Sequence, residues 1–192
     1  MLEGRLKSEA RPESKYSRGL SQLKISAGWR ERQADSTPIE HANALDRVFV
    51  VHGHDDVARL EIESFLQLVR LSPVRLANEH SGGMTVIEKF EHHADVAFAI
   101  VLFTPDDIGY AKTAPQTQRA RARQNVIFEL GYFIARLGRG KVAVLVKEDV
   151  EILSDYTGVV YVPMDPMGGW KLSLTREMRR VGLKLDADAM TI

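Results

Sequence analysis

The chain has 192 residues, with Lys+Arg and Asp+Glu balanced at 26 each and no cysteine. That length fits one domain of ordinary size with an appendage. The zero formal charge argues against a non-specific nucleic-acid binder, and the missing thiols exclude disulfides, thiolate zinc sites and a Cys nucleophile. A charge balance near zero also favours self-association. No stretch approaches the ~18 consecutive apolar residues of a membrane span. The first residues lack the apolar segment of a signal peptide, so the expected location is cytoplasmic.

Two parts are expected: an N-terminal extension over 1–45 and a folded domain over 46–192. The extension interleaves charges with Ser and has few apolar residues; Leu20, Leu23, Ile25 and Trp29 fit one side of a short helix. It reads either as a weakly ordered tail or as a docking helix. Residues 47–51 form a β-branched apolar run that predicts a buried strand feeding a turn at His52-Gly-His-Asp-Asp56. Asp55 or Asp56 is placed to cap the next helix, whose apolar positions are Val57, Leu60, Ile62, Phe65, Leu66 and Leu68. Residues 72–77 predict a shorter strand, and 78–83 a loop. The Thr85 to Glu88 spacing fits a capping box that opens a helix to about His93.

Residues 95–103 are nearly all apolar, as in a central parallel strand buried on both faces. A long loop is expected from Thr104 to about Gln124, then a helix from Asn125 to Leu137 stopped by Gly138. Residues 141–146 and 159–162 predict two more strands, and 170–183 a last helix. Strands alternating with helices give an α/β fold: a flavodoxin-like, doubly wound parallel sheet of about five strands with helices on both faces. Ligands of such sheets lie beyond the carboxyl ends of the strands. That rule selects the loops 52–56, 78–85 and 104–125.

In the first loop Gly53 permits close backbone approach, and the following helix start offers N–H groups suited to phosphate. A simple capping role for Asp55 explains the same residues. His52, His54, Asp55 and Asp56 do not form a convincing metal set, because alternate strand residues point to opposite faces. In the third loop Arg121, Arg123 and Asn125 precede a helix that carries Glu129 within its first turn or so. Asn125 or a neighbour is a good cap. Taken alone, Glu129 reads first as a surface carboxylate that complements the helix dipole.

The segment Arg123-Gln-Asn-Val-Ile-Phe-Glu-Leu-Gly131 resembles the R-x-N-V-x-F-E-x-G signature of bacterial TIR-like domains, found as effectors in cyclic-nucleotide antiphage systems. Val48-Phe-Val-Val-His-Gly53 is similar to the opening strand and loop of that family, and Phe103-Thr-Pro-Asp-Asp107 to its third strand and turn. The resemblance covers about 47–165 and leaves the extension outside.

The resemblance implies an enzyme that cleaves the nicotinamide–ribose bond of NAD, by hydrolysis or cyclisation, with Glu129 as the catalytic carboxylate. An ionised Glu129 would stabilise the oxocarbenium-like ribose. NAD is then the substrate, and no separate cofactor or metal is implied. Arg123 either binds a diphosphate oxygen or pairs with Asp106 or Asp107. Asn125 fixes the loop, Gly82 and Gly83 belong to a mobile gating loop, and Gly53, His54, Asp55 and Asp106 stand near ribose or phosphate. Assembly into oligomers or filaments is implied too, with an activating partner or cyclic-nucleotide signal. The competing readings are a non-catalytic TIR assembly module, an N-glycosidase for another nucleotide, and a receiver-like domain. The last lacks a phospho-acceptor Asp where Thr104 stands.

Overall fold

The computed structural model describes residues 44–76, 88, 95–153 and 158–186. Strand β1 (Arg47–Val51) leads into helix α1 (Asp56–Leu68) and strand β2 (Ser72–Val74). Strand β3 (Phe98–Phe103) is followed by two short strands, β4 (Asp107–Gly109) and β5 (Arg119–Arg121). Helix α2 (Gln124–Leu137), strands β6 (Val142–Val146) and β7 (Val160–Pro163), and helix α3 (Gly169–Arg180) complete the domain. Five strands make one parallel sheet in the order β2-β1-β3-β6-β7. Numbered within the sheet this is 2-1-3-4-5, the flavodoxin-like order expected from the sequence.

Side-chain alternation builds a core on each face of the sheet. Val48, Val50, Phe98, Ile100 and Leu102 face one side, where Ile62, Phe65 and Leu66 of α1 meet Trp170, Leu174 and Met178 of α3. Phe49, Val51, Ala99, Val101 and Phe103 face the other, against Val126, Leu130 and Phe133 of α2. All of β3 is buried, which explains its unbroken apolar sequence. Gly138 ends α2 at φ 83°, in the left-handed region that favours glycine, and its N–H returns to the Ile134 carbonyl.

Several expected boundaries shift. The segment 104–124 is not all loop: β4 and β5 pair as an antiparallel ribbon within it. The central strand starts at Phe98 rather than Asp95, and the last helix stops at Arg180 with Leu183 buried beyond it. On α1, Val57, Leu60 and Leu68 are exposed, because only one stripe of that helix meets the sheet. Of the helix expected over 85–93 only Glu88 is described, and it is helical. The extension and the loop holding Gly82 and Gly83 lie outside the described residues. Among the described residues no helix is long and apolar enough to cross a membrane.

Candidate active site

The sheet order reverses at β1 and β3, so the chain leaves their carboxyl ends in opposite directions and opens a crevice. A cleft of about 350 Å³ lies there. Phe49, Val50, His52, Gly53 and His54 come from the end of β1 and its loop, and Leu76 follows β2. Arg123, Asn125, Val126 and Glu129 come from the start of α2. The helical rotation of about 100° per residue puts Asn125, Val126 and Glu129 on one side of α2 and turns Phe128 outward, where it is 53 % exposed.

Glu129 stands at the start of the second turn of α2, which begins at Gln124, one residue before the expected start. Among the described residues its carboxylate has no hydrogen bond and no cation within 4.0 Å. Two effects oppose each other. Burial disfavours the charged form, and the Arg123 guanidinium favours it. Burial wins, pushing the carboxyl up to about 7 from its ordinary 4.5. Burial thus brings the Glu129 carboxyl close to neutral pH, so its ionisation there is set by the local charge.

Arg123 supplies that charge without pairing to an acid. Its Nη1 donates to His54 Nε2 at 2.7 Å. A guanidinium has no acceptor, so Nε2 is the accepting atom of this bond. The alternative in which Arg123 pairs with Asp106 or Asp107 is not the arrangement found: no such ion pair joins the described residues. Arg123 itself occupies the cap position of α2, with no side-chain cap bond, and Asn125 lies inside the first turn. Asn125 is thus an exposed cleft residue rather than the cap.

The β1–α1 loop is braced by carboxylates. Asp106 accepts from Thr104 Oγ1 at 2.9 Å and from the His54 backbone N–H at 3.2 Å. A β-carbon on Gly53 would stand 1.8 Å from Asp106 Oδ2, so glycine is required to admit that carboxylate. Asp55 caps α1 by accepting from Ala58 N–H at 2.9 Å, and Lys147 Nζ also donates to it. The Ala58 bond first, then the Lys147 bond, hold the Asp55 carboxyl below its ordinary value. These bonds take up the His54 and Ala58 N–H groups. Asp55 and Asp106 brace the loop, and Gly53 lines the cleft. Lys147 was missed by sequence reasoning. Its signal was a single cation ending the apolar run of β6, at the carboxyl edge where ligand sites form.

The two histidine rings are engaged separately: His52 Nδ1 donates to its neighbour's carbonyl, Gly53 O, at 2.9 Å. Burial lowers the His52 ring below its ordinary value. Among the described residues no group of three or more His, Asp or Glu could hold a metal ion. A larger hollow of about 1160 Å³ runs along Gln118–Ala120 and 149–153. It holds none of the Glu129 cleft residues, so size does not mark the chemistry here.

In doubly wound domains small-ligand sites form at the switch point, where this chain carries a perturbed carboxylate. Residues 47–166 match the family described as the TIR domain of the CAP12/Pycsar effector protein, and the chain belongs to that family. It is 46 % identical over 159 residues to YuaY of Escherichia coli K12, covering 82 % of this chain and 53 % of the relative. It is 32 % identical over 130 residues to tirC of Dictyostelium discoideum, covering 62 % and 65 %. A shorter match, 34 % over 68 residues, reaches CD-NTase-associated protein 12 of Niabella drilacis, covering 35 % of this chain and 21 % of that one. The chain thus spans less than two thirds of the length of each of these relatives.

Proposed function

We propose that this domain is an NAD glycohydrolase that breaks the nicotinamide–ribose bond, with Glu129 as its catalytic carboxylate, and that it serves as an antiphage defence effector. The observation that carries the reading is the Glu129 carboxylate. It faces a switch-point cleft, has no hydrogen bond among the described residues, and stands in the sequence context of an effector TIR family. An adaptor surface has no use for a carboxylate kept costly to ionise.

The chemistry fits the electrostatics. The nicotinamide ring of NAD is cationic, and its approach favours the ionised form of Glu129. When the ribose C1′–N bond breaks, the electron pair stays with nitrogen and nicotinamide leaves neutral. The positive charge moves to the ribose, where an adjacent carboxylate stabilises it. Water adds at C1′ and loses a proton, which a carboxylate titrating at about 7 can accept at neutral pH. Arg123 is placed to meet a phosphate oxygen once His54 releases it. Cyclisation follows if a hydroxyl of the same molecule replaces the water. The domain over 46–192 would carry this activity, with the extension over 1–45, oligomerisation and a nucleotide or protein signal as its control.

The test is nicotinamide release from NAD by the purified full chain, compared with Glu129→Gln, over a range of protein concentrations. Wild type should release nicotinamide and the variant should be slower by about 100-fold or more. Equal rates would reject Glu129 as the catalytic group. Release from other nucleotides but not from NAD would redirect the substrate assignment.

A further inference from the structure

The β4–β5 ribbon carries a feature the Glu129 cleft does not use. In its register Asp107 faces Arg121, and Gly109 faces Arg119. Residues two apart share a face, so these four lie on one side, with Ile108 and Ala120 on the other. Asp107 is the natural partner for Arg121, yet among the described residues neither Arg119 nor Arg121 has a carboxylate oxygen within 4.0 Å. The Arg121 side chain instead lies along Gly109, where an added β-carbon would stand 2.7 Å from its Cδ and 3.0 Å from its Nη1. Its Nε is buried and has no hydrogen-bond partner among the described residues. A hollow of about 560 Å³ opens at this face, lined by Arg119, Arg121, Tyr110 and Glu151 among others.

Two guanidinium groups on one ribbon face repel each other, and a buried N–H without an acceptor is unfavourable. An anion in the hollow relieves the repulsion by meeting the outer guanidinium nitrogens. A phosphate oxygen suits the planar fork of arginine, and two forks suit a group with several oxygens. Glu151 leaves the hollow with one net positive charge and offers an acceptor for a hydroxyl or amine of the ligand. The phenol of Tyr110, an exposed residue, is a further donor. We propose that this hollow is a second ligand site, separate from the Glu129 cleft, that binds the phosphate or diphosphate group of a small phosphorylated molecule through Arg119 and Arg121. It does not depend on the reaction proposed for Glu129.

The test is calorimetric titration of the full chain with inorganic phosphate and with pyrophosphate at low salt. The comparison covers wild type, Arg119→Gln, Arg121→Lys, Arg123→Gln and Glu129→Gln. Arg119 is exposed, so its variant should fold, which a melting curve checks. Saturable binding of at least one anion is expected, weakened about tenfold or more by Arg119→Gln. Arg121→Lys keeps the charge but loses the fork and should also weaken it, while Glu129→Gln should not. Tighter binding of phosphate indicates a monoester ligand, and tighter binding of pyrophosphate a diphosphate. No saturable binding, wild-type affinity in Arg119→Gln, or loss in Arg123→Gln alone would overturn the proposal, the last by placing the anion in the Glu129 cleft.

Discussion

The burial of Glu129 has a thermodynamic signature that does not depend on any substrate. Its carboxyl titrates at about 7 in the folded domain against an ordinary 4.5. Between these values the native state keeps a proton that the unfolded chain has lost, so stability falls as pH rises through this window and levels off above it. The full shift is worth up to about 3 kcal/mol, and the partly open cleft brings the expected figure nearer to 2 kcal/mol. Glu129→Gln keeps the shape and removes the charge. At pH 8 the variant should therefore be more stable than wild type, with a melting temperature higher by on the order of 5 °C for a domain of this size. At pH 4 Glu129 is mostly neutral in both the folded and the unfolded chain, and the two curves should nearly coincide. Scanning calorimetry at both pH values gives the answer. A variant that melts with wild type at pH 8 would refute the burial argument. An equal gain at both pH values would do so too, because packing rather than charge would then be the cause.

Arg123→Gln removes the cation that holds Glu129 down, so the carboxyl should titrate above its wild-type midpoint; carbon-13 NMR of labelled Glu side chains reads this directly, and an unchanged or lower midpoint counts against it. Gly53→Ala should cost about 1–3 kcal/mol, because its methyl group displaces an Asp106 carboxylate held by two hydrogen bonds. Denaturant titration should show a smaller cost in an Asp106→Ala background, and equal costs would mean the two residues do not meet. Asp55→Ala removes the α1 cap and the Lys147 partner and should cost about 1 kcal/mol at pH 7. The Asp55 carboxyl is held below 3.8, so its contribution is present above that value and lost as pH falls; a penalty that persists undiminished near pH 2 would sink this assignment.

The strands were legible because their chemistry is local. A run such as Phe98–Phe103, buried throughout, has no stable place except between two layers. The ribbon was not legible. Asp107–Gly109 and Arg119–Arg121 are three residues each, with a single large apolar side chain, Ile108, between them, and that one is 64 % exposed. Nothing in their hydropathy asks for pairing, and the strands meet only because the segments on either side are anchored to β3 and α2. Gly53 shows the same limit. Its local sequence suggests backbone freedom, whereas the actual requirement is space for Asp106, fifty-three positions along the chain. The motif identified Glu129, but its protonation could not be read there. That depends on burial in a cleft whose other wall comes from β1 and its loop.

The placement of Arg123 follows from what Glu129 must not do. A guanidinium bonded directly to the carboxylate would ionise it permanently and fill the position a cationic ligand would take. His54 prevents this by accepting a hydrogen bond from Arg123 Nη1, which leaves the charge near enough to lower the Glu129 carboxyl but not to pair with it. The carboxylate is then poised about its midpoint, and small changes in local charge move it a long way. An incoming cation ionises it, and an incoming anion that draws Arg123 off His54 alters the balance again. NAD presents both kinds of group in one molecule, a cationic ring beside a diphosphate. Under the proposed reading, substrate binding itself creates the charged form of Glu129, and the charge appears only where the ribose is about to become positive.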